Sequence, residues 1–367
     1  MRIAFDFQIF LLQKYGGISR YFVGLAENLQ TQADVKIVAP LHINSYLNNL
    51  SDSLAPGIRI KRIPKTGPLL FAANNLLFKP IINRLQPDII HETYYSLNSY
   101  APKSAKRVVT VYDMIHERFP SLFNAGHFNT EAKRIAVQRA DHVICISEHT
   151  RKDLVELFNV DENKLSVVYL GYDSMQRHDC ENSMVYRFLG GRPYLLYVGF
   201  RGGHKNFEGI VKAYASSYFL RKSYSLIFFG GGNFNDAEIR LFLDLGLDMN
   251  NISQLSGGDQ LLASCYQGAA AFIYPSLYEG FGIPPLEAMS CDCPVICTNA
   301  SSVPEVVGEA GEYFEPDQID SIRYAIERVL KSSKRRAELI ENGRIRCHIF
   351  SWARTASETL NIYRKVI

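Results

Sequence analysis

The chain has 367 residues, 47% of them hydrophobic and 21% charged, with a formal net charge of +3. These values fit a globular protein long enough for two ordinary domains and too weakly basic to argue for a nucleic-acid partner. No apolar run reaches the roughly 18 residues of a membrane-spanning helix, and the start MRIAFDFQIF, with Asp6 inside it and no small-residue cleavage site, reads as a strand and not as a signal peptide.

Residues 2–7 form the first expected strand. Tyr15-Gly16-Gly17-Ile18-Ser19-Arg20-Tyr21 then opens a helix carrying Phe22, Leu25, Ala26 and Leu29 at helical spacing, and residues 35–38 form a second strand. Strand, glycine turn, helix, strand is the start of a doubly wound α/β domain, whose first turn borders a ligand position. Gly16 and Gly17 would let backbone approach a phosphate or sugar; a plain tight turn suits them equally. Between Arg59 and Arg84 stand six basic residues and no acidic one: Arg59, Lys61, Arg62, Lys65, Lys79 and Arg84. They alternate with Leu69, Leu70, Phe71, Leu76, Leu77, Phe78, Ile81 and Ile82. Such a mixture suits a segment lying at a membrane surface, or a helix that packs its apolar face on the domain.

Residues 87–91 and 107–113 read as strand ends, the second leading through Asp113 to His116. Polar groups at the carboxyl ends of parallel strands are where α/β folds gather their chemistry, although Asp113 could instead cap the next segment. A helix over 130–140, a strand over 141–146, Ser147 capping a helix over 148–158, and a strand over 165–169 complete a first domain, residues 1–172. Residues 173–193, with Arg177-His178-Asp179 and Gly190-Gly191, have no period and read as a linker. A second cycle fills 194–350. It comprises a strand over 194–199, a basic glycine loop with Arg201 and Lys205, a helix over 207–218, and a strand over 225–229 running into Gly230-Gly231-Gly232. A short strand over 251–255 precedes Asp259, expected to cap a helix over 260–267. Helices over 319–331 and 335–342 follow, and then the amphipathic 352–366.

Within this cycle lies Tyr274 to Pro294, YPSLYEGFGIPPLEAMSCDCP. It ends a buried strand over 269–274, turns at Glu279-Gly280-Phe281-Gly282, and starts a helix at Pro284 and Pro285, whose fixed φ and missing amide suit a first turn. Glu279 and Glu287 stand eight positions apart, near the amides of Phe281, Gly282 and Ile283 at a helix start, where anions and hydroxyl-holding carboxylates are at home. Solvated acids on a plain strand-turn-helix are the alternative. The cysteines (Cys145, Cys180, Cys265, Cys291, Cys293, Cys297 and Cys347) are odd in number and mostly in apolar surroundings, as reduced cytosolic thiols are. Cys291, Cys293 and Cys297 lack the spacing and the paired histidines of a zinc site.

Taken together these stretches resemble the family 4 retaining glycosyltransferases, of the two-domain glycosyltransferase-B type. The matching pieces are GGISRY at 16–21, TVYDMIHERFP at 110–120, VICISEHTRKDL at 143–154 and VVYLGYD at 167–173. YVGFRGGHKN at 197–206, PSLYEGFGIPPLEAMSCDCPVICTNASSVPEVVGEAG at 275–311 and SWARTASETLNIY at 351–363 complete the set in the expected order. The resemblance implies an α/β protein of two Rossmann-like doubly wound domains facing a cleft, with a last helix, 351–367, crossing back to the first domain. It implies a nucleotide sugar in the second domain, with Arg201 and Lys205 on the diphosphate, where fixed cations stabilise leaving-group charge. Glu279, with the amides of Phe281 and Gly282, would hold the donor sugar and Glu287 the ribose. Gly16 and Gly17 would approach the diphosphate or the acceptor. Asp113 or His116 would contact the reacting sugars; many members carry a histidine where this chain has Tyr112. Retention in the family is thought to proceed by front-face attack, without a protein nucleophile.

The resulting expectation is a cytoplasmic hexosyltransferase of bacterial surface-polysaccharide assembly, peripheral on the inner membrane face through the 59–84 segment. YDMIHERFP resembles mannosyltransferase-like members of the family, which implies GDP-mannose as donor, with a UDP-hexose as the alternative. Its acceptor would be a glycan or a polyprenyl-diphosphate-linked intermediate. No Asp-x-Asp triplet occurs, so no metal or other cofactor is expected. A nucleotide-sugar 2-epimerase shares the architecture but not the Glu279–Glu287 motif. A Rossmann dehydrogenase would need a G-x-G-x-x-G after the first strand.

Overall fold

Strands separated by helical stretches cannot pair through tight turns, so each needs a crossover and the sheets come out parallel. The computed structural model, which describes residues 1–61, 65–123, 126–175 and 191–367, has this arrangement twice. One unit comprises Met1–Gly171 and Phe350–Ile367, the other Tyr172–Ile349. Residues 176–190 of the expected linker, with Arg177, His178, Asp179, Cys180 and Gly190, lie outside the described residues, as does Arg62.

In the first unit the elements run β1 (Arg2–Phe5), α1 (Gln8–Leu12), α2 (Gly17–Leu29), β2 (Asp34–Ile37), β3 (Leu41–His42), β4 (Ile58–Arg59), α3 (Gly67–Leu85), β5 (Ile89–Glu92) and β6 (Lys106–Val111). They continue with α4 (Ile115–Arg118), α5 (Gly126–Arg139), β7 (His142–Cys145), α6 (Glu148–Phe158) and β8 (Leu165–Val167). The main sheet has the order β2-β1-β5-β6-β7-β8, all parallel. Ser147 caps α6, its hydroxyl accepting the Thr150 amide.

The first strand ends two residues earlier than its apolar run suggests, and the cause is Asp6. Its buried carboxylate accepts the amides of Gln8 and Thr93 at 3.2 and 3.0 Å, the Thr93 hydroxyl at 2.6 Å and the Gln8 side-chain amide at 2.7 Å. The bond to Gln8 turns the chain into α1 and the bonds to Thr93 tie it to the end of β5. Burial still pushes the Asp6 carboxyl above its usual range.

The segment between Arg59 and Arg84 is mostly α3. This helix buries Asn74, Phe78 and Ile82, and the Asn74 side chain accepts the Leu41 amide at 3.0 Å. Leu69 and Leu76 remain 70% and 75% exposed, with Leu77 and Ile81 also in solvent beside Lys79 and Arg84. Packing and an uncovered apolar stripe therefore coexist on one helix.

The second unit runs β9 (Tyr194–Val198), α7 (Phe207–Ser216), α8 (Tyr218–Ser223), β10 (Ser225–Phe229), α9 (Asp236–Asp244), β11 (Ile252–Leu255), α10 (Asp259–Gly268) and β12 (Ala271–Tyr274). It closes with α11 (Ile283–Ser290), β13 (Val295–Thr298), α12 (Val303–Val307), β14 (Gly311–Phe314), α13 (Ile319–Lys331) and α14 (Ser333–Cys347). The parallel sheet order is β11-β10-β9-β12-β13-β14. In the core between β10, α7 and α9, Phe207 packs edge-on to Phe242 and tilted against Phe228.

In the second unit three departures from the sequence expectation have a local cause in capping. The helix expected over 207–218 stops at Ser216, because Ser217 caps α8 by accepting the Leu220 amide at 3.2 Å. Helix α9, missed in the sequence, starts on a capping box in which Asn235 and Glu238 satisfy each other's amides. Asp259 is the first residue of α10, whose N-cap is Gly258, so it does not cap by side chain.

The last helix, α15 (Trp352–Val366), belongs to the first unit. Trp352 lies against Gly24 and Gly171, where an added Cβ would come within 2.8 and 2.4 Å of it. The Thr355 hydroxyl donates to Tyr169 O at 2.8 Å, and the Tyr363 hydroxyl lies 2.6 Å from His91 Nδ1.

Candidate active site

In an open parallel sheet, ligands settle where neighbouring strands send their crossovers to opposite sides. In the second unit that point lies between β9 and β12, since the chain runs outward from β9 to β10 and β11 and then restarts at β12. The loops after these two strands are the Arg201–Lys205 loop and the Glu279 turn. They are joined directly, the Leu277 amide donating to His204 O at 2.7 Å.

Lys205 and Glu279 meet at this point. Lys205 Nζ lies 2.6 Å from Glu279 Oε1, with side chains 23% and 12% exposed. The ammonium also stands 5.7 Å over the ring of Tyr274, the last residue of β12. Burial and the Glu279 carboxylate push the Tyr274 phenol well above its usual range, keeping it a neutral hydroxyl beside the acid. The turn is held from a third loop: Ser301 Oγ accepts the Glu279 amide at 2.9 Å, and the Ser302 hydroxyl is 2.8 and 2.9 Å from the carbonyls of Glu279 and Phe281.

Gly282 caps α11 with φ of +117°, a conformation that disfavours any side chain. The amides of Gly282 and Ile283 therefore stand at the helix start, outside its internal ladder, while Pro284 and Pro285 have none to offer. Glu287 is the fifth residue of α11 and has a partner of its own, the Tyr266 hydroxyl at 3.2 Å from Oε2. Phe281 is buried, 3% exposed.

Arg201 is placed differently from the expectation that it shares a diphosphate with Lys205. Its side chain is 3% exposed and its donors are taken up inside the unit. Nε and Nη2 face the two Glu238 oxygens at 2.8 and 3.1 Å, Nη1 donates to Gly230 O, and Nη2 to the carbonyls of Gly232 and Asn233.

The remaining expected residues are in the first unit. Gly16 has extended backbone and precedes α2; a Cβ there would strike the Gln13 side chain at 2.3 Å, whose Oε1 accepts the Ser19 amide. Gly17 opens α2, with nothing within 4 Å of an added Cβ. Asp113 makes a local bond, Oδ1 accepting the Ile115 amide at 3.1 Å, but the N-cap of α4 is Met114. The buried Lys133 donates to Asp113 O at 2.9 Å and pairs with Glu117 at 2.8 Å. Burial, helped by Lys133, lowers the His116 pKa, so its ring is neutral near pH 7, tilted against Phe123 at 4.4 Å. Sequence reasoning missed Asp6, Lys133, Glu238 and Ser301. Asp6 had a visible signal, a lone charge in an apolar strand; the Asn235-to-Glu238 capping spacing was another.

Residues 15–176 match the family model described as Glycosyltransferase Family 4, and residues 181–346 match Glycosyl transferases group 1. The chain is a family 4, group 1 glycosyltransferase. Over 369 residues this glycosyltransferase is 28% identical to "O-antigen chain mannosyltransferase B" of Escherichia coli, covering 95% of this chain and 96% of that one. It is also 28% identical to the "O-antigen chain mannosyltransferase RfbU" of Salmonella typhimurium, over 62% of each chain. Its fold matches the sucrose-phosphate synthase of Thermosynechococcus elongatus with a TM-score of 0.78 at 20% identity, over 100% of this chain and 98% of that one. The Anabaena protein solved in complex with UDP-glucose matches at 0.75 and 18%, over 100% of both chains. The glycosyltransferase-B fold, two Rossmann-like parallel-sheet units, is thereby established.

Proposed function

We propose that this glycosyltransferase moves a mannosyl unit, with retention, from GDP-mannose to a glycan or polyprenyl-diphosphate-linked acceptor in bacterial surface-polysaccharide assembly, on the cytoplasmic side. The observation that carries the reading is the Lys205–Glu279 pair at the β9/β12 switch point, in a chain similar along its whole length to an O-antigen mannosyltransferase. An arriving diphosphate takes Lys205 from Glu279, and the freed carboxylate takes the sugar hydroxyls. Neither group is then left buried and uncompensated in either state. Glu287 receives the ribose, and the amides at the start of α11 face the phosphate. With Arg201 engaged by Glu238, neutralisation of the leaving diphosphate falls to Lys205 and the helix terminus, and transfer proceeds without a divalent ion. A UDP-hexose is the second donor reading, favoured by the structural neighbour solved with UDP-glucose.

A thermal-shift panel of GDP-mannose, UDP-glucose and an ADP-sugar in excess chelator tests donor and metal together. GDP-mannose is expected to raise the midpoint by mass action, whereas no shift with any of the three until Mg²⁺ is added would refute the metal-free donor site.

The exposed Leu69, Leu76, Leu77 and Ile81 on α3, beside Lys79 and Arg84 and with no acid from 59 to 85, support peripheral contact with an anionic bilayer. Among the described residues no helix is long and apolar enough to cross one. Lys79→Glu with Arg84→Glu should release the protein from phosphatidylglycerol vesicles; undiminished binding would remove α3 from that role.

A further inference from the structure

The glycine turn after β10 has backbone that side chains would not tolerate. Gly230, Gly231 and Gly232 have φ of +90°, +72° and +74° in succession. The turn lies at the carboxyl edge of the sheet beside the loop that follows β9, a Cβ on Gly230 being 3.5 Å from Gly199 O. Three consecutive left-handed glycines have little conformational preference of their own, so something outside the turn must fix them.

Arg201 does so. Its guanidinium binds the carbonyls of Gly230, Gly232 and Asn233, which point inward along the turn, and stacks over Phe234 at 4.8 Å. The planar fork suits this task, since one ammonium could not serve carbonyls in several directions and a carboxylate at once. Glu238 holds the guanidinium from the opposite side with both oxygens, and the same carboxylate accepts the Asn235 amide at 2.8 Å, anchoring the clamp to the first turn of α9. A Cβ on Gly231 would lie 2.7 Å from Arg201 Nη1, so the glycine and the arginine fit each other.

We propose that Arg201 is a positioning residue and not a donor ligand: with Glu238 it clamps the Gly230–Gly232 turn, so that side-chain-free backbone forms one wall of the site where the nucleotide diphosphate binds. The inference rests on the reading that the second unit binds such a donor.

The two roles of Arg201 predict opposite signs for Glu238→Gln. If Arg201 contacted phosphate, neutralising its competitor would free the guanidinium and tighten binding. As a clamp, losing the ionic anchor loosens the turn and weakens binding by about tenfold, a typical cost of a small misplacement at a site. The measurement is calorimetric titration of GDP and of UDP into wild type, Glu238→Gln, Arg201→Lys and Gly231→Ala, with hydrogen exchange of the residue 230–234 amides. Equal weakening in all three variants, with faster exchange confined to the turn, is the expected result. Because stranding one buried charge could unfold the unit, Arg201→Met combined with Glu238→Leu removes both charges together, and it should fold yet bind as weakly. Tighter or unchanged binding by Glu238→Gln overturns the clamp. Wild type that binds neither nucleotide overturns the donor-site reading itself.

Discussion

Lys205→Ala should lower donor turnover by roughly a hundred- to a thousandfold, the usual loss when one fixed group that stabilises developing charge is removed. The chain dictates this residue's importance through placement. It follows β9, one of the two strands that meet at the switch point, and its ionic partner among the described residues is Glu279, from the loop after β12. With Arg201 turned inward to Glu238, no other expected cation remains beside that turn. The variant should also lose about 1–3 kcal/mol of stability, since Glu279 keeps a mostly buried oxygen without its cation. Combining it with Glu279→Gln separates the two effects. The double variant should recover much of the urea midpoint while turnover stays low. Turnover of Lys205→Ala within threefold of wild type would sink the diphosphate role.

What was readable in the sequence was whatever depends on near neighbours. Pro284 and Pro285 announce a helix start, Glu279 to Gly282 a glycine turn before it, and Ser147 a side-chain cap, and the structure has all three. Strand positions followed from apolar runs, because parallel strands buried on both faces leave a continuous signal. What was not readable lies where a side chain acts over a long sequence separation. Asp6 ends β1 by binding Thr93, 87 residues on, and its lone charge in an apolar run does not say which distant group it binds. Arg201 and Lys205 look alike as cations in one glycine loop. Only the sheet order decides that the first faces Glu238, 37 residues later on the β10 side, and the second faces Glu279, 74 residues later on the β12 side. The exposed stripe of α3 was ambiguous for another reason. Its residues satisfy helical periodicity on more than one face, and periodicity alone cannot say which face the domain covers.

The largest stability effect should come from acid, through His91. This residue lies wholly buried in β5, Nδ1 at 2.6 Å from the Tyr363 hydroxyl of α15 and Nε2 at 2.8 Å from the Thr110 hydroxyl of β6. Phe5 and Phe22 enclose it edge-on, and burial lowers its pKa from 6.5 to about 3. A depressed folded-state pKa means that the unfolded chain binds the proton first. The contribution of His91 to stability is therefore complete above pH 6.5 and is lost as pH falls from there towards 3. The slope is about 1.4 kcal/mol per pH unit, so roughly 2 kcal/mol should be gone by pH 5. Asp6 and Glu92 act in the opposite sense, since burial raises their carboxyl pKa values and acid relieves them of a buried charge. Their effect is common to wild type and to His91→Asn, and so the difference between the two proteins isolates the histidine. The single tryptophan, Trp352, sits in the same unit against Gly24 and Gly171, and its fluorescence reports that unit's urea transition. Between pH 7.5 and 5 the wild-type transition should move to lower urea faster than that of His91→Asn. Parallel shifts in the two proteins would mean that His91 takes up its proton without opening the fold, and that α15 is not held to β5 by a neutral imidazole.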